Sequence, residues 1–360
     1  MIKNLLRLSL SIIILFSTQF LFAQIKSDSI KKKIRFAAIP LINYNRTQGF
    51  IAGAMTQGYY RVNKNDTISP HSSTVAMGIY TQEKTWLAGI GETLYLNEDT
   101  WRIKAFLFKG NINYQYFNGD ADNNAGQYED YNNEVTMVMS QVQRKVWKRF
   151  YAGLYAEYNK TITYFTDRND SLDVKKMNNI GYVISQDSRD NVLFPTEGVF
   201  MNFKNQFYTD WVGSDVEFTK FTINYTRFFD LKKDQRHILI GRLNTEIGTG
   251  DVPFQGQSVV GRDDLRGYSQ GKYRGNQVYA LQSEYRWMFN KSKFGLVGFL
   301  GVASAVENFG DIFSSEVLPG IGAGIRYRLL PDMKVNIGLD VGVGKDDYSI
   351  TFRIGEAFAR

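Results

Sequence analysis

The sequence predicts an all-β protein, a 16-stranded antiparallel transmembrane β-barrel, on three observations. From Ile34 to the end, apolar and polar residues alternate with a period of two, broken at intervals of roughly twenty residues by turn chemistry. Many of these alternating runs reach ten or more residues, which suits a tilted membrane crossing and exceeds the usual ~5 or 6 of a globular strand. Beyond the amino-terminal region no apolar stretch is long enough for a membrane helix, although the chain starts like an exported one.

Residues 1–23 read as a secretory signal peptide: Lys3 and Arg7 are its basic start, Leu8 to Phe22 its apolar run, and Ala23 before Gln24 its cleavage point. The apolar run is shorter than the ~20 residues of a membrane helix and is diluted by Ser9, Ser11, Ser17, Thr18 and Gln19. Residues 24–33 are polar and basic, a short periplasmic tail, and residues 34–360 form the barrel. Strands are expected to begin near Arg35, Gly49, Ser72, Thr85, Thr100, Tyr131, Arg149, Met177, Glu197, Glu217, Gln235, Gln277, Lys293, Val317, Met333 and Asp347. The fifteenth alternates most clearly, with Val335, Ile337, Leu339, Val341 and Val343 on one face and Asn336, Gly338, Asp340, Gly342 and Gly344 on the other. In the twelfth, Tyr279, Leu281, Tyr285 and Trp287 oppose Gln282, Glu284 and Arg286. Connections after even strands are mostly short, as at Asn97 to Asp99 and Lys232 to Asp234, whereas Asn118 to Asp130 and Gly248 to Asn276 are long. Short periplasmic turns and long outer loops put both termini in the periplasm of a bacterial outer membrane.

Composition narrows the function. Aromatic residues make up 15% of the chain, enough for the interfacial girdles of a membrane barrel, although a sugar-binding all-β protein could match it. There is no cysteine, hence no disulfide framework and no lipoprotein cysteine. The net charge of +7 is scattered rather than clustered, so nucleic acid is not a partner; outer-membrane lipid is. With only His71 and His237, and acids such as Asp263, Asp264, Asp346 and Asp347 in turns, no metal, cofactor or catalytic constellation is expected, and the chain reads as a non-enzyme.

The long eleventh-to-twelfth connection contains Gly261-Arg262-Asp263-Asp264-Leu265-Arg266-Gly267-Tyr268. This resembles the hallmark of the Omp85 family (bacterial surface antigen D15, the BamA and TamA group), an Arg-Gly followed by an aromatic. The resemblance implies that this loop folds inward between strands 11 and 12, with Arg266 held by acidic and aromatic side chains in the lumen. Guanidinium binding to a carboxylate is bidentate and strengthened by dehydration, and Gly267 permits a tight turn. Glu284, on the polar face of the twelfth strand, is the expected partner, matching the family's acidic position; pairing of Glu284 with Arg286, Arg242 or Arg326 instead stays open. Where many members carry a further aspartate, this chain has Gly301, which leaves the Arg266 anchor open to a different construction. A second likeness runs from Asp187, Ser188, Arg189, Asp190 and Asn191 to Phe194, Pro195, Thr196, Glu197 and Gly198, similar to the family's turn between strands eight and nine and expected to be structural.

The last strand, with Phe352, Ile354 and Phe358, resembles the carboxy-terminal signal by which barrels are recognised for assembly. Pro40 lies in the first strand and cannot donate a ladder bond, so a weak lateral seam between Pro40 and Gly355 is expected. In the family that seam is understood to open sideways, exposing an edge for a client strand. The resemblance covers best residues 187–358 and implies assistance to insertion of outer-membrane proteins or translocation of proteins or lipids. Its partners would be client barrels or periplasmic accessory proteins. The ten or so residues before the first strand leave no room for the periplasmic POTRA domains typical of the family, so a variant lacking them is expected. The alternative is a passive pore or structural barrel without insertase activity; oligomeric state, client and substrate are not readable.

Overall fold

A computed structural model of the chain describes residues 34–45, 48–118, 127–165, 172–261, 264–268 and 272–358. The expected signal peptide (1–23) and tail (24–33), together with Arg262, Asp263, Ala359 and Arg360, lie outside the described residues.

One antiparallel sheet closes on itself. Its strands are β1 (Ile34–Asn45), β2 (Gly49–Tyr60), β3 (Ser72–Thr81), β4 (Trp86–Leu96), β5 (Trp101–Asn118), β6 (Gln127–Trp147), β7 (Phe150–Phe165), β8 (Leu172–Lys176) and β9 (Asn179–Asp187). They continue as β10 (Gly198–Tyr208), β11 (Phe218–Asp230) and β12 (His237–Gly250). A small hairpin, β13 (Ser258–Val259) with β14 (Arg274–Gly275), stands outside the sheet. The wall ends with β15 (Gln277–Met288), β16 (Phe294–Val306), β17 (Leu318–Leu330), β18 (Val335–Gly344) and β19 (Asp347–Ile354). Because β8 and β9 both pair with β7, as two pieces of one broken strand, the wall has sixteen staves.

Alternation decides which side each residue takes. On β15 and β16, Leu281, Tyr285, Trp287, Leu296 and Leu300 point outward, and Leu300 is 60% exposed. A folded water-soluble protein does not leave so continuous an apolar surface bare; a bilayer covers it. The inward partners Gln282, Glu284 and Arg286 are buried in the lumen. In the amino-terminal half the lumen is unexpectedly greasy: Ile51, Met55, Val75, Met77, Phe106, Phe108 and Met137 face inward, while Ala52, Ala54, Thr56 and Gly58 take the outer face of β2.

The long Asn118–Asp130 connection foreseen from sequence is narrower, Asn118 and Gln127–Asp130 being strand while residues 119–126 lie outside the described residues. β5 and β6 stay paired from Trp101↔Arg144 to Asn118↔Gln127, since backbone ladders do not need apolar side chains. The last strand also differs: it stops at Ile354, so Phe358 is not on it. Gly355, at φ +79°, turns the chain out of the sheet. Ala357 and Phe358 then bury inside the barrel against Phe228, Ile238 and Ile240.

Candidate functional site

The 26-residue connection from β12 to β15 turns into the barrel. The β13/β14 hairpin pinches its base, and the segment beyond packs its apolar side chains, Val260, Leu265 and Tyr268, on Val278, Ala280, Ala303 and Leu318 of the lumen wall. Glycines on that wall make the approach possible. A Cβ on Gly342 would lie 2.7 Å from the Gly267 nitrogen, one on Gly344 2.4 Å from the Tyr268 ring, and one on Gly320 2.8 Å from the Arg266 carbonyl oxygen. Gly301 belongs to the same floor: its Cβ position is 3.0 Å from Leu265, so a longer side chain there would collide with the loop. Gly267 itself sits at φ +111°, where L side chains are strained. The loop tip is latched by Tyr268, whose hydroxyl donates to the Pro319 carbonyl (2.7 Å) and accepts from the Lys345 amide (2.8 Å). The Gly267 amide donates to the Ser349 hydroxyl at 3.2 Å.

Arg266 reaches into a buried ionic cluster. Its Nη2 lies 2.6 Å from Glu284 Oε2, with side-chain exposures of 2% and 0%. Nη1 is 3.2 Å from Asp340 Oδ2, and Nε donates to Gln282 Oε1 at 2.9 Å. The guanidinium stacks 3.6 Å above the Phe299 ring, and Phe358 lies at 5.1 Å. Glu284 also pairs with Arg286 (2.5 Å), so of the four candidates left open by the sequence it takes two together, while Arg326 goes to Asp340 and Glu356. Asp340 holds Arg326 (2.5 Å) and Arg353 (3.0 Å), and Glu356 holds Arg326 (2.9 Å) and accepts from Asn336 (2.7 Å). Among the described residues four guanidiniums thus share three carboxylates, all deeply buried except Arg353, whose side chain keeps 10% of its exposure. Buried charges of this kind hold only while every member is paired.

Sequence reasoning singled out Arg266 and Glu284 but not Asp340, Gln282 or Glu356. The acid missing at Gly301 is supplied instead by Asp340 on β18. The one available signal was that Asp340 is the sole charge on a face otherwise made of Asn336, Gly338, Gly342 and Gly344. Glu356 was hidden inside what read as strand.

The second motif builds the β9–β10 turn and more. Asp190 accepts from the Thr196 amide (2.8 Å), the Thr196 hydroxyl (2.6 Å) and the Glu197 amide (3.1 Å), fastening the turn, while Gly198 takes φ +107°. Asp187 crosses the lumen, pairing with Arg189 (2.8 Å) and with Arg102 of β5 (2.7 Å).

The seam is short. β1 and β19 pair only through Asn43↔Thr351, Tyr44↔Ile350 and Asn45↔Ser349, whereas β1 pairs with β2 along its whole length. Pro40 lies in the stretch that, among the described residues, pairs with β2 alone, and Gly355 begins the departure of the chain from β19. The two ends overlap rather than abut. Arg353 reaches Asp340 in the lumen, yet Phe352 and Ile354, on the opposite face of β19, pack with Ala37, Ile39 and Leu41 on the lumen side of β1. The free half of β1 therefore lies over the outer face of the β19 end, joined by apolar packing in place of backbone hydrogen bonds. Among the described residues no group of three or more His, Asp or Glu converges as a metal site.

Comparison with known proteins agrees with this architecture. The model of the Omp85 superfamily domain matches residues 56–358. The outer membrane protein assembly factor BamA of Nitratidesulfovibrio vulgaris is 25% identical over 181 residues, which cover 45% of this chain and 23% of that protein. The match therefore spans about a quarter of that relative's length. Among solved structures, BamA from Haemophilus ducreyi lacking POTRA domains 1–3 superposes with a TM-score of 0.58 at 14% identity, covering 89% of this chain and 70% of that one. CdiB from Escherichia coli gives 0.62 at 12% identity, covering 91% and 64%.

Proposed function

Because the chain belongs to the Omp85 superfamily, we propose that it assists insertion of outer-membrane proteins, or translocation of proteins or lipids, at the outer membrane. The observation that carries this reading is the seam: three paired residues and an apolar overlap close a barrel whose other joints run to eight pairs or more. An edge held so weakly is available to a guest strand, which would gain the backbone hydrogen bonds that the free half of β1 lacks toward β19. The work is done by strand exchange and membrane perturbation and needs no cofactor or catalytic group. Its partners are client barrel proteins or periplasmic accessory proteins, in keeping with the assembly-factor name of the N. vulgaris relative. In this reading the turns at 97–100, 231–236 and 331–334 and both chain ends face the periplasm. Arg266, Gly267 and Tyr268 fix the loop in the lumen so that the wall beside the seam keeps its shape while the seam itself opens.

The test is depletion of the protein followed by quantitative outer-membrane proteomics, with rescue by wild type or by Arg266→Ala at matched folded level. Selective loss of other barrels or surface proteins, restored by wild type only, supports an assembly or translocation role that depends on the loop. An unchanged outer membrane after depletion overturns it in favour of a passive pore or structural barrel.

A further inference from the structure

Inside the amino-terminal half of the barrel is a cavity of about 810 Å³, within the range of small-molecule binding sites. Barrel interiors are ordinarily polar. This one is lined along its middle by Met55, Val75, Met77, Phe106, Phe108 and Met137, and its lining extends to Leu41 and Phe352 at the seam. Methionine and phenylalanine offer adaptable, polarisable contact to flexible hydrocarbon and nothing to a hydrated ion or a peptide backbone.

One end of the cavity is cationic. Arg102, Lys104 and Arg189 line it. Arg102 is neutralised by Asp99 and Asp187 (2.7 Å each), and Arg189 shares Asp187. Lys104, two residues along β5 from Arg102 on the same inward face, makes no hydrogen bond or ion pair with the described residues. Lys204, across the lumen, rests on the Tyr155 ring at 4.4 Å. An ammonium open to the lumen, without a carboxylate partner among the described residues and beside a greasy chamber, suits an acid with a long hydrocarbon tail.

We propose that this chamber is a binding site for an anionic amphiphile, its carboxylate or phosphate head on Lys104 and its acyl chain along Met55, Met77, Phe106 and Met137. The site stands apart from the Arg266 cluster and holds whether or not the barrel acts in assembly. It gives the lumen a lipid-class ligand in addition to the lipid that surrounds the outer wall.

The experiment uses the full chain in phosphatidylcholine nanodiscs, carrying a benzophenone amino acid at Met137 or at its outward neighbour Val138, which is 45% exposed. Folding of each variant is checked by its heat-dependent gel mobility. The probes are deuterated hexadecanoate, decanoate, hexadecyltrimethylammonium and dipalmitoyl phosphatidylglycerol, read by mass spectrometry after irradiation. The Met137 probe should capture hexadecanoate at least about tenfold over the cation with the same chain. Affinity should rise with chain length from decanoate to hexadecanoate, by up to about fourfold per buried methylene. Lys104→Glu should abolish the preference for the anion and Lys104→Gln reduce it, while Val138 labels every probe alike. Capture of phosphatidylglycerol at Met137 as well identifies a membrane lipid as the ligand; capture of hexadecanoate alone identifies a single-chain acid. Equal capture of anion and cation at Met137, or none there while Val138 still labels, overturns the proposal.

Discussion

Removing either partner of the Arg266–Glu284 pair should not cost the same, and the cluster shows why. Arg266→Ala deletes a 2.6 Å ion pair, the hydrogen bond to Gln282 and the stacking on Phe299. It orphans no carboxylate: Glu284 keeps Arg286 at 2.5 Å, and Asp340 keeps Arg326 at 2.5 Å and Arg353 at 3.0 Å. It also brings four cations on three anions into balance. The loss therefore falls at the low end for a broken buried pair, about 3 kcal/mol. Glu284→Ala does the reverse. It strips the nearest anion from both Arg266 and Arg286, leaves Arg286 with Glu356 at 3.5 Å, and widens the excess of buried positive charge. That cost falls at the upper end, about 5 kcal/mol. Guanidinium-induced unfolding in phospholipid vesicles, followed by tryptophan fluorescence, measures both. The double variant should cost less than the sum of the two, because the second deletion relieves the imbalance left by the first. Equal costs, or a larger cost for Arg266→Ala, would show that charge balance in the cluster does not govern its stability.

Three further outcomes are expected. Gly342→Ala places a methyl 2.7 Å from the Gly267 nitrogen and should cost about 1–3 kcal/mol and expose the loop to trypsin at Lys272 or Arg274, whereas Gly298→Ala, with nothing within 4 Å, should be neutral. Cysteines at the paired positions Asn43 and Thr351, in a chain with none of its own, should lock the seam when oxidised; rescue should fail until a reductant is added, and full activity while locked would sink the idea of sideways opening. Asp66, in the turn after β2, has its carboxyl held well below the usual carboxylate range, first by the Ser69 hydroxyl (2.6 Å) and then by the Ser69 amide (2.8 Å). A lowered folded-state value means that the stabilisation is present above about pH 4 and fades as the pH falls below it. The stability gap between wild type and Asp66→Asn should therefore be full at pH 7 and shrink below pH 4, and a gap that is constant with pH would contradict it.

The wall was largely legible in the sequence because a membrane strand is a local pattern: alternation and turn residues placed most strand starts within one or two residues, from Gly49 to Asp347. β6 begins earlier than expected, at Gln127, because its polar first residues look like turn while their backbone still forms a ladder. Arg266 and Glu284 were found through a motif and a face. Asp340 was not, because a single acid on a glycine-rich strand has no spacing that ties it to a loop 74 residues away. The break at Gly355 escaped notice because Phe352, Ile354 and Phe358 continue an amphipathic rhythm past the point where the backbone leaves it. The greasy lumen was masked in the same way, since alternation says that two faces differ without saying which one faces the bilayer.

The ionic cluster also bears on the order in which the barrel is made. Its arginines come from the loop, β15, β17 and β19, and its acids from β15, β18 and the segment after the last strand. No nascent barrel lacking its final hairpin can neutralise it: until β18 and β19 arrive, Arg326 lacks Asp340 and Glu356, and the loop has no floor at Gly342. Seating of the loop is therefore a late event that registers completion of the wall, and a chain truncated by its last few residues would carry in its lumen the electrostatic mark of being unfinished.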